Sequence, residues 1–235
     1  AVKRPGDITM SGFGEGARKS RQMAGLAFAG LLLGVLAACA QPARDGDMVE
    51  TAAPQRPNIL LILADDLGYS DIGAFGGEIP TPNLDALARR GMLLTQFYSG
   101  QTCSPTRAML LSGMDNHRAG MGVMGAPTRE DQKGKPGYEG HLNFRLASLA
   151  ELLTDAGYNT YMTGKWHVTS ARGPKADNSN WPVQRGFDRF YGTITGAGSF
   201  YDPATLCRDN QFITPVNDPH YKPKRYHYAD AISDN

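Results

Sequence analysis

The chain has 235 residues, 41% hydrophobic and 20% charged, enough apolar material for one domain with a sizeable core or for part of a larger one. Its formal net charge is +1, so nothing electrostatic points to nucleic acid or to an acidic partner. The 28 Gly and 15 Pro imply many loops around a framework, and no internal repeat or long low-complexity tract is present.

In chain order, the basic residues Arg18, Lys19 and Arg21 precede the apolar run MAGLAFAGLLLGVLAACA, which begins at Met23. A positive region, an apolar stretch and small residues at its end describe a secretory signal rather than a membrane span. The end reads two ways. LAAC (Leu36 to Cys39) resembles a bacterial lipobox, in which Cys39 is lipidated and becomes the mature N-terminus. ACA before Gln41 instead fits ordinary signal cleavage. The lipobox is the preferred of the two, and a third reading, a short buried helix, would leave the basic flank unexplained. It places the protein in the periplasm or at the outer membrane, touching the bilayer only through the anchor. Residues 1–40 are thus expected to be signal, and the polar, aperiodic residues 41–56 a tether.

The run PNILLILADD (Pro57 to Asp66) is continuously apolar and ends in two carboxylates, which predicts a strand buried on both faces. Asp65 and Asp66 at the end of such a strand need a cation or open solvent. A helix is expected from Thr81, with Pro82 in its first position and Gly91 at its end. MLLTQFYS (Met92 to Ser99) reads as the next strand, and SPTRAMLLSG as a short helix closed by Gly113. Leu146, Leu149, Leu152, Leu153 and Ala156 form a helical stripe ended by Gly157, and NTYMTGKWHV is strand-like. Strands alternating with helices predict βα units, an α/β fold and a mostly parallel sheet.

In such a sheet, ligands gather beyond the carboxyl ends of the strands. Asp65 and Asp66 end one strand, Cys103 opens a helix after another, and Lys165, Trp166 and His167 follow a third. The three groups are therefore expected at one edge. Arg107 lies one helical turn after Cys103, and Lys165 and His167 alternate about Trp166, which puts both on one side of an extended segment. Export favours paired cysteines, so a Cys103–Cys207 disulfide is an alternative use of Cys103. Asn116, His117 and Arg118 read as a pocket rim or a polar turn. His141, His220 and His227 stand in no motif, and the aromatics from Trp181 to Tyr191 read as packing.

CSPTRAMLLSG resembles the sulfatase signature, GYNTYMTGKWH its second signature, and RPNILLILADDLGYSDIGAFG the family's metal-binding start. WPVQRGFDRFYG also resembles family sequence, and together these cover nearly everything from Arg56 onward. The resemblance is closest to bacterial arylsulfatases and implies an alkaline-phosphatase-like α/β fold, its sheet sandwiched by helices. It implies that Cys103 is oxidised to 3-oxoalanine (formylglycine) by a formylglycine-generating enzyme that reads Pro105 and Arg107. The hydrate of that aldehyde would act as nucleophile on a sulfate ester. The resemblance further implies that Asp65, Asp66 and residue 103 ligate one divalent cation, Ca²⁺ in most members. Arg107 would hold the hydrate, Lys165 would grip sulfate and hydrate, and His167 would bind a hydrate hydroxyl and take a proton.

The sequence also departs from the family. Sulfatases are longer, with a second Asp-Asn metal pair after a later strand, a further His and a leaving-group Lys. Asp115-Asn116, Asp177-Asn178, Asp209-Asn210 and Asp234-Asn235 match the pair as dipeptides, but none follows a predicted buried strand. Residues 57–235 are therefore expected to be the N-terminal part of the domain, inactive alone. Two other readings stay open: a phosphonate or phosphate ester hydrolase using the same hydrate, and a non-catalytic surface lipoprotein.

Overall fold

Pro82 and Gly91 set the limits of the first helix, because a ring-locked φ suits a first turn and glycine ends one readily. In the computed structural model, which describes residues 56–127 and 129–235, helix α1 runs Pro82–Arg90 with Gly91 as its C-cap. Thr81 holds the N-cap position without capping. Its hydroxyl accepts from the Gly73 N–H at 2.8 Å and donates to Asp85 Oδ1 at 2.9 Å, tying α1 to the turn before it. Cys39, the signal segment and residues 1–55 lie outside the described residues. No helix among the described residues is long and apolar enough to cross a membrane.

Helix α2 spans Cys103–Ser112 and ends at Gly113, whose φ of 65° is left-handed. Helix α3 spans Leu149–Asp155. Its start is written as S-x-x-E: Ser148 Oγ accepts from the Glu151 N–H at 3.1 Å, and the Glu151 carboxylate accepts from the Ser148 N–H in return. Strand β1 (Tyr161–Lys165) pairs in parallel with β2 (Arg189–Thr193), Lys165 standing opposite Thr193. Strands β3 (Leu206–Arg208) and β4 (Gln211–Phe212) add antiparallel, giving a four-stranded sheet in the order β1-β2-β3-β4. Helix α4 (Tyr228–Asp234) packs on β1.

The main core joins Ala108 of α2 to Met121, Leu142, Trp166, Trp181 and Phe190. Trp166 is wholly buried, and its indole N–H donates to the Asn180 carbonyl at 2.8 Å. Trp181, Phe190 and Tyr191 are packing residues, no more than 3% exposed. Beside them lies Arg185, fully buried. Its Nε donates to Glu151 Oε1 at 3.1 Å, Nη1 to the Leu142 carbonyl at 2.6 Å and Nη2 to the Leu146 carbonyl at 2.8 Å. One side chain thus ties the cap of α3 to the loop that precedes it.

Several expected elements differ. Residues 57–66 and 92–99 form no strand: Leu60 is 85% exposed, Met92 84% and Tyr98 82%. An apolar run becomes a strand only where a neighbour accepts its backbone hydrogen bonds, and the described residues bring none to either run. The sheet they do form has one parallel pair and two antiparallel pairs. The stripe on α3 is not a buried face. Leu146 precedes the helix, Leu152 is 56% exposed, and the residue α3 buries is Ala150. Asp209-Asn210 does follow a buried strand, as the tight turn between β3 and β4. Its carboxylate serves structure, Asp209 Oδ1 accepting from the Phe190 N–H at 2.9 Å.

Replacing Arg185 removes the donor to Glu151 Oε1 and to the carbonyls of Leu142 and Leu146. The Arg185→Met variant is expected to lose about 3–5 kcal/mol of unfolding free energy in urea titration, against less than ~1 kcal/mol for an exposed control such as Arg129→Met.

Candidate functional site

Cys103 is the first residue of α2, reached through an extended Thr102 with φ of −145°. Pro105 sits in the first turn, where a missing N–H is harmless. The opening of α2 is held by the Thr106 N–H donating to the Thr102 carbonyl at 3.1 Å and the Thr106 hydroxyl donating to the Gly100 carbonyl at 3.1 Å. Cys103 remains half-buried while Ser104 is fully buried. One turn on, Arg107 is 9% exposed, which excludes a solvated helix arginine. Its Nε donates to the Trp166 carbonyl at 2.9 Å, and its Nη2 donates to the Lys165 carbonyl.

Lys165 is the last residue of β1, and the pairing with β2 runs on past it. The Trp166 N–H donates to the Thr193 carbonyl at 2.9 Å and the His167 N–H to the Ile194 carbonyl at 3.1 Å. A continued ladder, a buried indole and the Arg107 guanidinium therefore fix the segment that carries Lys165 and His167. The Lys165 ammonium lies 2.9 Å from each carboxylate oxygen of Asp65. Its side chain is 11% exposed against 49% for Asp65, a pair at the mouth of the structure rather than inside it. Asp66 Oδ1 lies 4.0 Å from the Cys103 sulfur, and donor atoms of Asp65, Asp66 and Cys103 all fall within 4.8 Å of one another. Residues from three distant parts of the chain thus meet at one place.

Backbone strain marks the same place. Only three non-glycine described residues have positive φ, and two of them are Asp66 at 52° and His167 at 54°. The extended geometry expected for Lys165 to His167 therefore breaks at His167. His167 is half-buried, and burial first, then the positive charges of Lys165 and Arg107, push its pKa down to about 4; Asp65 opposes them and Arg172 adds a smaller effect. Its Nδ1 is buried without a hydrogen-bond partner among the described residues. Gly196 packs on the imidazole so closely that a Cβ there would fall 2.0 Å from His167 Cε1. Sequence reading missed Gly196; the glycine-rich TGAGS after β2 was the available signal.

Other candidates lie elsewhere. Cys207 is a free, buried thiol in β3, so no disulfide joins it to Cys103; burial first, with Asp209, pushes it up to about 12. Asn116, His117 and Arg118 form a turn in which Asp115 Oδ1 accepts from the His117 N–H at 2.9 Å and His117 packs edge-on to Tyr138. Two exposed carboxylates suit a hard cation, but a thiol does not. The set fits Ca²⁺ as one side of a site if residue 103 presents oxygen. Because residues 57–64 form no buried strand, open solvent also satisfies these acids, and the fit rests on the donor set and its proximity.

The family model described as Sulfatase matches residues 57–233, and the chain belongs to the sulfatase family. An uncharacterised sulfatase of Schizosaccharomyces pombe is 46% identical over 73% of this chain and 31% of its own length. An arylsulfatase of Klebsiella aerogenes is 45% identical over 65% of this chain, again 31% of its own length. The chain therefore spans about a third of these relatives. A crystal structure named Ps i-CgsB superposes with a TM-score of 0.56 at 26% identity, covering 77% of this chain and 40% of that one. The fold is α/β, as in that structure.

The depressed His167 pKa has a consequence for stability. The unfolded chain takes up a proton near pH 6.5 that the native state refuses until about pH 4, so this contribution is complete above pH 6.5 and is lost as pH falls toward 4. Melting temperatures read between about pH 7 and pH 5 are expected to fall more steeply for the wild type than for His167→Gln.

Proposed function

We propose that Cys103, Arg107, Lys165 and His167, with Asp65 and Asp66, belong to the site of a sulfuric ester hydrolase of arylsulfatase type. The observation that carries this reading is the meeting of two carboxylates and the position-103 side chain within 4.8 Å, beside a lysine on Asp65. Family membership and 45% identity to the Klebsiella arylsulfatase support it. Oxidised to formylglycine, position 103 would supply a hydrated aldehyde as nucleophile, and a bound Ca²⁺ held by Asp65 and Asp66 would neutralise the sulfate.

The chain's own residues would do the rest. Lys165 presents its ammonium beside Asp65, where a sulfate oxygen can take over part of its hydrogen bonding. His167, neutral at pH 7, would accept a hydrogen bond from a hydroxyl of residue 103, although its lowered pKa makes it a weak base. Arg107 sets their positions by gripping the carbonyls of Lys165 and Trp166, and its charge favours an ionised oxygen beside it.

Co-expression with a formylglycine-generating enzyme, followed by mass spectrometry of the peptide containing residue 103, tests the reading. Conversion of thiol to aldehyde is expected in the wild type and not in Cys103→Ala. With a modified full-length protein, 4-nitrophenyl sulfate should be hydrolysed at least ~10³-fold faster than by its Cys103→Ala variant, while residues 57–235 alone stay inactive. An intact thiol defeats the reading, and faster turnover of phenyl phosphonate moves it to a phosphonate ester hydrolase. Export as a lipoprotein belongs to the same proposal: wild type is expected to incorporate labelled palmitate and Cys39→Ala to lose it, whereas unlabelled, soluble wild type overturns the anchor.

A further inference from the structure

The ladder position of Lys165 is held from two sides, by helix α2 and by helix α4. From α2, Arg107 grips the Lys165 carbonyl. From α4, the Tyr228 hydroxyl accepts from the Thr193 N–H at 2.9 Å and lies 3.0 Å from Thr193 Oγ1. Thr193 stands opposite Lys165 in the pairing of β1 with β2. It is 5% exposed, and its carbonyl accepts from the Trp166 N–H at 2.9 Å. One phenol oxygen thus engages Thr193 at both its backbone and its side chain.

Packing alone does not ask for a hydroxyl there. Tyr228 begins α4 and packs on the core cluster of Tyr191, Leu206, Ile213 and Ala231. A phenylalanine would serve that cluster, and burying a phenol is costly unless its oxygen finds partners. Around it, the Tyr191 and Tyr226 hydroxyls bond each other at 3.2 Å, and Tyr221 donates to Asp234 at 2.8 Å. The Tyr228 hydroxyl leads instead to the end of β2. Burial pushes its pKa up, against the opposing pull of its bonds to Thr193 and of the Arg107 charge, so the phenol keeps its proton near neutral pH.

Lys165 has reason to need this support. Its ammonium ends a flexible four-carbon stem, so its reach is only as well defined as the backbone from which it starts. The strand is also about to end, because two residues on His167 takes a left-handed φ of 54°. The last pairs of a ladder open readily unless something outside the sheet holds them. Gly164, just before Lys165, has no side chain to pack, and Ile232 of α4 comes within 3.7 Å of where its Cβ would stand. Helix α4 therefore backs the strand exit, and the Tyr228 hydroxyl is its polar hold on the neighbouring strand.

We propose that Tyr228 is a positioning residue: its hydroxyl clamps Thr193, the ladder partner of Lys165, and so sets where the Lys165 ammonium meets a sulfate oxygen. The proposal rests on the sulfate-ester reading above and adds a residue to it.

Steady-state kinetics of the full-length, formylglycine-bearing protein on 4-nitrophenyl sulfate test it. Tyr228→Phe keeps the ring and its packing, and Tyr191→Phe removes a hydroxyl from the same cluster without touching Thr193. Melting temperatures confirm that both variants fold. Tyr228→Phe is expected to lower kcat/KM about tenfold, with a raised KM, while Tyr191→Phe stays within about twofold of wild type. Because Tyr228 acts through Lys165, adding Tyr228→Phe to Lys165→Ala should change kcat/KM by less than about twofold. An unchanged KM in Tyr228→Phe, an equal loss in Tyr191→Phe, or a further loss on top of Lys165→Ala overturns the positioning role while the sulfate-ester reading stands. If wild type turns over phenyl phosphonate alone, the same comparisons on that ester decide the role. A wild type inert toward both esters defeats the reading and the role together.

Discussion

Arg107 is the joint on which the candidate site depends. Its guanidinium leaves helix α2 and grips the carbonyls of Lys165 and Trp166, where the paired edge of β1 gives way to a loop. Cys103 stands one turn earlier on the same helix, and His167 two residues beyond Lys165 on the same strand exit. A buried arginine satisfied by two backbone carbonyls is a directional clamp: it fixes how far apart and at what angle helix and strand sit. Trp166 supports it from beneath, with its indole donating to the Asn180 carbonyl in the core. Arg185 reaches that same region, its Nη1 lying 3.4 Å from Asn180 Oδ1. Bracing of the site thus passes from a buried cation through an asparagine and a tryptophan to the strand end.

Electrostatics and strain act together on this frame. Burial of His167, to which the cations of Lys165 and Arg107 add, keeps the imidazole neutral where a free one would begin to charge. The left-handed backbone of Asp66 and of His167 turns each side chain in a direction that regular structure would not give. Such conformations persist because the surroundings over-determine them: the His167 N–H is held by Ile194, and its ring is boxed in by Gly196.

Much of this was legible in the chain itself. The start and end of α1 stand in Thr81, Pro82 and Gly91, and the end of α2 in Gly113, because those residues act locally and need no distant partner. The meeting of Asp65, Asp66, Cys103 and Lys165 was expected from a common place at strand and helix ends, which holds for Cys103 and Lys165 but not for the two acids, since no strand precedes them. Properties that depend on company were not. Residues 57–66 and 92–99 have the composition of strands, but composition cannot say whether a ladder partner stands alongside. On α3 the apolar spacing suggested a buried face, while the decisive pattern was Ser148 with Glu151, a local exchange of hydrogen bonds. Nothing local marks Arg185 in the sequence; its burial follows from three carbonyl and carboxylate acceptors that only the folded chain assembles.

The contact between Gly196 and His167 has an implication for altering this protein. A ring pressed flat on bare backbone leaves no clearance for even a methyl group, so the imidazole and the segment after β2 can only be displaced in concert. Any side chain at that one position would act as a wedge against the His167 imidazole. The arrangement of this corner thus hangs on a single atom that is missing.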